Sequence, residues 1–407
     1  MDTITHGIVG ALIGKGFFSE RNGRVATFAA AAGAMFPDVD VVQEIFSSDP
    51  LAIVKYHRAI THSFVALPFF AAFLAWLTRA GVAFAKKRWG LRDWDPPSWG
   101  ILSIIYALAI ASHILLDAMT SFGTRMWYPL SQQRVSWDLL FIIDFSFTAI
   151  VLLPQIVAWI YSNPAKFAFR AVAMWVLFSI GAFGAYRIAL DVGFPFHLWI
   201  AFLASGIIAA LFFLPAFRGA GFRATTAHWC QAGLVVMLAY LFACSVAHHA
   251  ALLRTRNFAA ANGIPIDRIA ALPLPPSLLD WGGVLRTTDG VYQSRFDLRD
   301  PAAPAFDYSA DSPPNEFVAR ALLLPEVQLY WSFARFPVIR TSSEPGRHYV
   351  DFNEHRFITR KRQGPAPFSY RVVFNDAGDP IEEGWQADSM DLRRLVKIAP
   401  SRKGNTP

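Results

Sequence analysis

Long apolar runs separated by short charged loops fill the first part of the chain, and short alternating runs replace them near Leu252. A transmembrane helix needs about 20 mostly apolar residues. Six stretches meet this with charge at their flanks: 64–85, 99–117, 139–161, 167–188, 196–217 and 229–252. Two weaker stretches precede them. Residues 4–18 are short and Gly-rich, and 25–45 begin as an alanine-rich helix but end in the acidic Phe36-Pro37-Asp38-Val39-Asp40. The pattern predicts a mainly α membrane protein, a polytopic helical bundle of about 6–8 spans.

Beyond Leu252 the period shortens to two, as in Val291-Tyr292-Gln293-Ser294-Arg295-Phe296, His348-Tyr349-Val350-Asp351-Phe352 and Ser369-Tyr370-Arg371-Val372-Val373-Phe374. Such alternation reads as antiparallel strands. Asp289-Gly290, Pro345-Gly346 and Asp376-Ala377-Gly378-Asp379 supply the turns between them. The expected organisation is a multi-spanning membrane domain over 1–252, a linker over 253–276, a soluble C-terminal β-rich domain over 277–400 and a disordered tail over 401–407. A proline-rich long loop is expected near 301–314.

Composition agrees with a lipid environment. The chain is 54% hydrophobic and only 16% charged, with a mean hydropathy of +0.34, where a soluble domain carries about 25% charged residues. The net charge of +7 does not form a basic block, so no nucleic-acid partner is expected. Instead Arg21/Arg24, Lys86/Lys87/Arg88/Arg92, Lys166/Arg170 and Arg218/Arg223 fall on one side of an eight-span bundle. The positive-inside bias makes that side cytoplasmic and leaves the N-terminus and the C-terminal domain extracytoplasmic. The opposite short loops hold Lys55, Arg58, Arg125, Arg134 and Arg187. The first residues lack the basic start and small-residue cleavage pattern of a secretory signal and are expected to be retained. The two cysteines, Cys230 and Cys244, lie in one apolar segment, so a metal would have to be held by His and carboxylates.

Those residue types recur in clusters: Thr5-His6-Gly7, Asp38 and Asp40, His57-Arg58-Ala59-Ile60-Thr61-His62-Ser63, His113 with Asp117, and Asp138 with Asp144. Any single cluster reads equally well as a capped or hydrated helix end. His113 and Asp117, four apart, share one helix face and suit either a hydrogen-bonded pair or a cation. In the eight-span topology every cluster comes to the same face of the bundle. Ionisable groups near a bilayer are costly unless paired, ion-bound or facing a polar cavity, which favours one shared hydrophilic site. Imidazole with carboxylate and no thiolate suits a divalent ion, zinc first, with manganese, iron or magnesium open. Arg58 could hold an anionic substrate group or a lipid headgroup, and Thr120-Ser121-Phe122-Gly123-Thr124 could orient ligands or simply end a span.

At these same residues the sequence resembles a family of bacterial inner-membrane proteins described as membrane-bound metal-dependent hydrolases, also carried as a domain of unknown function. The resemblance rests on Thr5-His6-Gly7, Phe36-Pro37-Asp38-Val39-Asp40, His57-Arg58 with Thr61-His62-Ser63, His113 through Asp117 with Thr120-Ser121-Phe122-Gly123-Thr124, and 138–144, in that order. It covers about residues 1–160 and implies a multi-spanning fold and a hydrolase, without a substrate. One departure is that Asp144-Phe145 stands where the family pattern has Asp-Pro.

The expectation is therefore a multi-pass protein of the bacterial inner membrane, a metal-dependent hydrolase acting on a lipid, a lipid-linked phosphate or another amphiphilic ester. Its expected metal ligands are His6, Asp38, Asp40, His57, His62, His113 and Asp117, and its expected catalytic residues are His57, His62, Arg58, Asp138 and Asp144. The expected partners are membrane lipid and a small-molecule or lipid substrate. The alternative is a non-enzymatic membrane protein in which the cluster forms an ion pathway or structural metal site and the exported domain binds a partner.

Overall fold

A computed structural model of the protein describes residues 1–47, 49–90, 95–191, 197–275, 277–357, 367–386 and 396–397. Arg92 and the tail 401–407 lie outside them. The membrane part comprises α1 (Thr3–Phe17), α2 (Ser19–Met35), a 3-10 turn over Phe36–Asp40, α3 (Val41–Phe46), α4 (Ala52–Lys55), a second 3-10 turn over Ile60–His62, α5 (Leu67–Trp89), α6 (Trp99–Ala118), α7 (Phe145–Tyr161), α8 (Phe167–Asp191), α9 (Leu198–Phe213), α10 (Ala220–Arg223) and α11 (Thr226–Ala261).

Among the described residues, six helices are long and apolar enough to cross a membrane: Ser19–Gln43, Leu67–Trp89, Trp99–Ala118, Pro164–Arg187, Leu198–Arg223 and Thr226–Ala261. The expected spans at 4–18 and 139–161 become shorter helices. At 1.5 Å per residue, α1 and α7 reach only about 23 and 26 Å, against a hydrocarbon core of about 30 Å. The second shortens because Asp144 caps α7, its carboxylate accepting from the N–H groups of Ser146 and Phe147.

Small residues let α1 and α2 approach closely. A Cβ at Gly10 would run into the Ala30 carbonyl, and one at Gly14 would sit 2.9 Å from Thr27 Cα and 3.0 Å from Ala30 Cβ. Helix α11 lines the other side of α1, where Cys230, Met237, Leu241 and Cys244 pack with Val9, Leu12, Phe147 and Val151.

The composition change at Leu252 is not a break in the chain's structure. Helix α11 runs on to Ala261, and β1 (Arg268–Pro273) also falls inside the expected linker. Antiparallel strands β1, β2 (Asp280–Arg286), β3 (Gly290–Asp297) and β4 (Asp307–Ala310) form one sheet in that order, with β4 inside the stretch expected as a loop. Helices α12 (Glu316–Leu322) and α13 (Pro325–Phe333) lead to a second sheet of β5 (Pro337–Glu344), β6 (Arg347–Glu354), β7 (Tyr370–Phe374), β8 (Pro380–Trp385) and β9 (Val396–Lys397). Each expected turn joins two of these strands, and Gly346 and Gly378 adopt the positive φ their turns require.

The C-terminal domain is seated on the bundle. Leu51, Val54 and Phe122 from the membrane part share one apolar core with Tyr330, Phe333, Phe352 and Tyr370. Arg335 reaches Asp138 with Nη1 and Nη2 at 2.9 and 2.8 Å, and the Ser277 hydroxyl accepts from the Phe141 N–H.

Candidate metal centre

Three helix ends and one loop build the site. Pro37 opens the 3-10 turn that ends α2 and carries Asp38 and Asp40. Helix α6 places His113 and Asp117 on one face in its last two turns, fully buried. The 3-10 turn at Ile60–His62 brings in His62, and α1 supplies His6 from its first turn. Because α1 leaves this face, α2 returns to it, α5 leaves and α6 returns, residues far apart in sequence meet.

Asp38, His62, His113 and Asp117 each offer one ligand atom, and these atoms all lie within 4.8 Å of one another. His62 Nε2 is 3.0 Å from His113 Nε2, 3.2 Å from Asp117 Oδ2 and 3.7 Å from Asp38 Oδ1. His113 Nε2 is 3.4 Å from Asp38 Oδ1 and 3.5 Å from Asp117 Oδ2. A tetrahedron with metal–ligand bonds of about 2.0–2.1 Å has edges of about 3.3–3.4 Å, so these five separations scatter around that value.

The outer nitrogens explain why the inner ones are available. His113 Nδ1 lies 2.6 Å from the Ala34 carbonyl, which can only accept, so Nδ1 carries the proton and Nε2 presents its lone pair inward. His62 Nδ1 faces Asp40 Oδ2 at 3.3 Å and the Thr61 hydroxyl at 3.0 Å. Asp40 therefore orients His62 from behind, the usual role of a carboxylate behind a metal-bound imidazole. With His62 neutral, two lone pairs and two carboxylate oxygens converge, an arrangement that a cation among them, a proton or a metal ion, relieves.

Charge counting points the same way. Asp117 contacts both the Met1 amino group and the Arg58 Nε, the latter at 2.8 Å, so among the described residues the ion-pair partners of Asp38 and Asp40 are imidazoles alone. Asp117 Oδ2 is the oxygen that faces Arg58 Nε, without the geometry of a hydrogen bond. Burial lowers the pKa of His62, and the carboxylates of Asp117, Asp38 and Asp40 more than offset this, raising it to about 10. A pocket that pulls a proton this strongly onto a buried imidazole is a pocket short of positive charge.

The remaining expected residues form a second layer or lie elsewhere. His6 stacks on His113 at 3.6 Å between centroids and sits 3.1 Å from Asp117 Oδ1. His57 Nδ1 is 3.1 Å from Asp40 Oδ1. Arg58, at φ 56°, is held in a left-handed backbone conformation that few side chains adopt. Its N–H donates to Asp40 Oδ2 at 2.9 Å, and its Nη1 donates to the Asp117 carbonyl and the Thr120 hydroxyl at 3.2 and 2.8 Å. Asp138 and Asp144 stand apart from the four converging ligands. Asp138 is ion-paired to Arg335, and Asp144 is a helix cap that also accepts from the Tyr240 hydroxyl at 2.8 Å. The cap does not use the N–H of Phe145, so replacing the family's proline there leaves it intact.

The expected ligand and catalytic sets left out Thr61, although it lies in the quoted cluster, and contained neither the Ala34 carbonyl nor any C-terminal side chain near the site. Thr61 sits between two expected residues and was legible from its position, whereas a carbonyl carries no sequence signal.

Residues 1–188 match the family model described as YdjM inner membrane protein, a stretch that contains the whole cluster. No curated protein and no solved structure matches the chain. The match associates this part of the chain with an inner-membrane family, in keeping with its apolar helices, and carries no activity with it.

Proposed function

We propose that this protein is a membrane-bound, metal-dependent hydrolase of phosphoesters at the membrane surface, with Asp38, His62, His113 and Asp117 as the metal ligands. The observation that carries this reading is the convergence of four electron-rich atoms within 4.8 Å of one another, with both imidazoles held from behind. Zinc suits two imidazoles and two carboxylates, and manganese or iron would also accept them. A divalent ion held by these four residues would make water a nucleophile near neutral pH and polarise a phosphoryl oxygen.

The chain's own groups have separate tasks. Asp40 and the Ala34 carbonyl fix the imidazole orientations, so little reorganisation is needed on loading. Arg58 is placed to pair with an anionic oxygen of the substrate, since guanidinium matches phosphate geometry. His57, held by Asp40 and facing the adjacent cavity, is placed to give a proton to the leaving oxygen. The basic loops at Lys86 and Lys166 face the cytoplasm, and the site with its C-terminal domain faces outward.

The test is metal content by mass spectrometry on detergent-purified protein beside a His62→Ala, His113→Ala double variant. Stoichiometric metal that is absent from the variant is expected, followed by metal-dependent release of phosphate from lipid phosphoesters. Absence of metal from the wild type after reconstitution with zinc, manganese and iron would overturn the reading.

A further inference from the structure

His57 and Arg58 separate the four ligands from a cavity of about 470 Å3, well inside the range of about 300–1,000 Å3 of small-molecule pockets. Neither part of the protein makes this cavity alone. Its membrane-side wall includes Phe141 and Ile142, and its outer wall includes Val284 and Phe368 of the C-terminal sheets. Directly after Ile142, Ile143 and Phe145 are 47% and 79% exposed at the start of the apolar helix α7. An apolar chain could therefore pass sideways from the bilayer into the cavity.

The same region gathers guanidinium groups, of which Arg58 pairs with Asp117 and Arg356 approaches Glu354, while Arg125 and Arg134 donate to backbone carbonyls. Arg58 and Arg134 lie over the Phe122 ring, at 5.1 and 5.3 Å, and Arg356 lies over Phe333 and Phe357, at 4.6 Å from each. Phe122 and Phe333 are themselves 5.1 Å apart, so the guanidinium groups surround one aromatic cluster. Arg134 donates to the carbonyls of Gly123, Val54 and His57, and Arg125 donates to those of Lys55 and Val54. Among the described residues neither forms an ion pair with a carboxylate. The Arg356 side chain, 1% exposed, forms a loose ion pair with Glu354 at 3.9 Å through Nε, which has no hydrogen-bond partner among the described residues, and its Nη2 donates to the Phe333 carbonyl at 3.2 Å. Guanidinium groups withdrawn from water without a full counter-charge favour an anion beside them.

We propose that the C-terminal domain completes the substrate site, the cavity taking the hydrocarbon chain of a phosphate-monoester amphiphile whose phosphate is held by Arg58 and Arg356. The phosphate end of this assignment rests on the phosphoester reading above, and the seat of the chain does not. Gly282 offers a clean probe of the chain's place. It lines the cavity, and a Cβ added there meets nothing closer than 3.8 Å, so a leucine would fill the cavity and spare the sheet.

The experiment uses full-length protein in phosphatidylcholine nanodiscs, with binding of a fluorescent single-chain alkyl phosphate measured against empty discs. The matching alkyl alcohol and inorganic phosphate serve as controls, and metal is quantified in every sample. Gly282→Leu is expected to weaken the alkyl phosphate and the alcohol alike, each by about tenfold or more. Arg356→Gln is expected to weaken the alkyl phosphate by about tenfold and leave the alcohol unchanged. Both variants should keep the metal content of the wild type. Binding to Gly282→Leu at wild-type strength would overturn the chain's placement, whatever the metal content. Inorganic phosphate displacing the probe at the probe's own concentration would overturn the amphiphile in favour of free phosphate. Wild-type protein that binds the probe with this variant pattern but holds no metal would sink the hydrolase reading and leave the chain's seat standing.

Discussion

Asp117 is the side chain on which the candidate centre turns. It offers Oδ2 to the converging ligands, takes the Met1 amino group and His6 on Oδ1, and faces the Arg58 guanidinium. Asp117→Asn should remove the metal and leave Arg58 buried without its counter-charge, a loss of about 3–5 kcal/mol. Metal analysis and thermal melting in detergent would register both, and a variant that retains metal would exclude Asp117 as a ligand. Asp40 acts at one remove, through His62, His57 and the Arg58 backbone. Asp40→Asn should keep a full site at high metal but weaken affinity about 10–100-fold, read by zinc titration against a chelating dye. Equal affinity would demote Asp40 to a purely structural anchor. The acids and histidines were visible in the sequence because each is costly near a bilayer. Their division into ligands and supports was not, because it depends on which atom of each side chain points inward.

At the scale of elements, close helix packing brings the ligands together. Gly10 and Gly14 of α1 meet Ala26, Ala30 and Ala34 of α2 with no room for a further carbon. Small residues permit such contact where lipid gives no hydrophobic drive for helix association. Gly10→Val should separate the two helices, costing about 1–3 kcal/mol or more and moving Asp38 away from His113. A fall in melting temperature together with weakened metal binding is expected, and stability without change would refute the close-packing account. Helix α11 shows a different lesson. Its 36 residues span about 54 Å, beyond any bilayer's need, and its outer turns pack beneath the first sheet through His248 and Trp281. Hydropathy read the end of the apolar run correctly, but a helix does not stop where its surroundings change from lipid to protein.

At the scale of the whole molecule, the Asp138 and Arg335 pair ties the two parts together. Burial raises the Asp138 pKa, and Arg335 more than offsets this, so the folded value lies below that of a free carboxylate. The pair's contribution is thus fully present above the unfolded value of about 3.9 and lost as pH falls through the folded one. Asp138→Asn should therefore melt lower than wild type by a constant margin from about pH 8 to pH 5, with the gap closing only below about pH 4. A gap that closes near neutrality would assign the effect to another group. Orientation is tested in the same frame. Arg58 and Arg125, counted among the outward loop charges, are buried in protein, and Lys55 pairs with Asp49 at 2.5 Å. The basic loops on the far face therefore dominate the charge bias. An impermeant maleimide applied to intact, outer-membrane-permeabilised cells should label Asp376→Cys and spare Lys166→Cys, and the reverse pattern would put the site inside.

The sequence by itself determined that the chain is membrane-bound, that its second part is built of strands, and that its acids and histidines share one face. Apolar run length, alternation and the cost of charge near lipid are all local properties, readable one segment at a time. Only the tertiary structure brought Asp38, His62, His113 and Asp117 within 4.8 Å of one another, and only it paired Asp138 with Arg335 and made Asp144 a helix cap. It alone brought Arg356 and Arg335 beside the membrane loops. Those outcomes depend on distances between segments up to about three hundred residues apart, such as the 197 positions between Asp138 and Arg335. Helix packing and domain seating set such distances, and no periodicity in the chain encodes them.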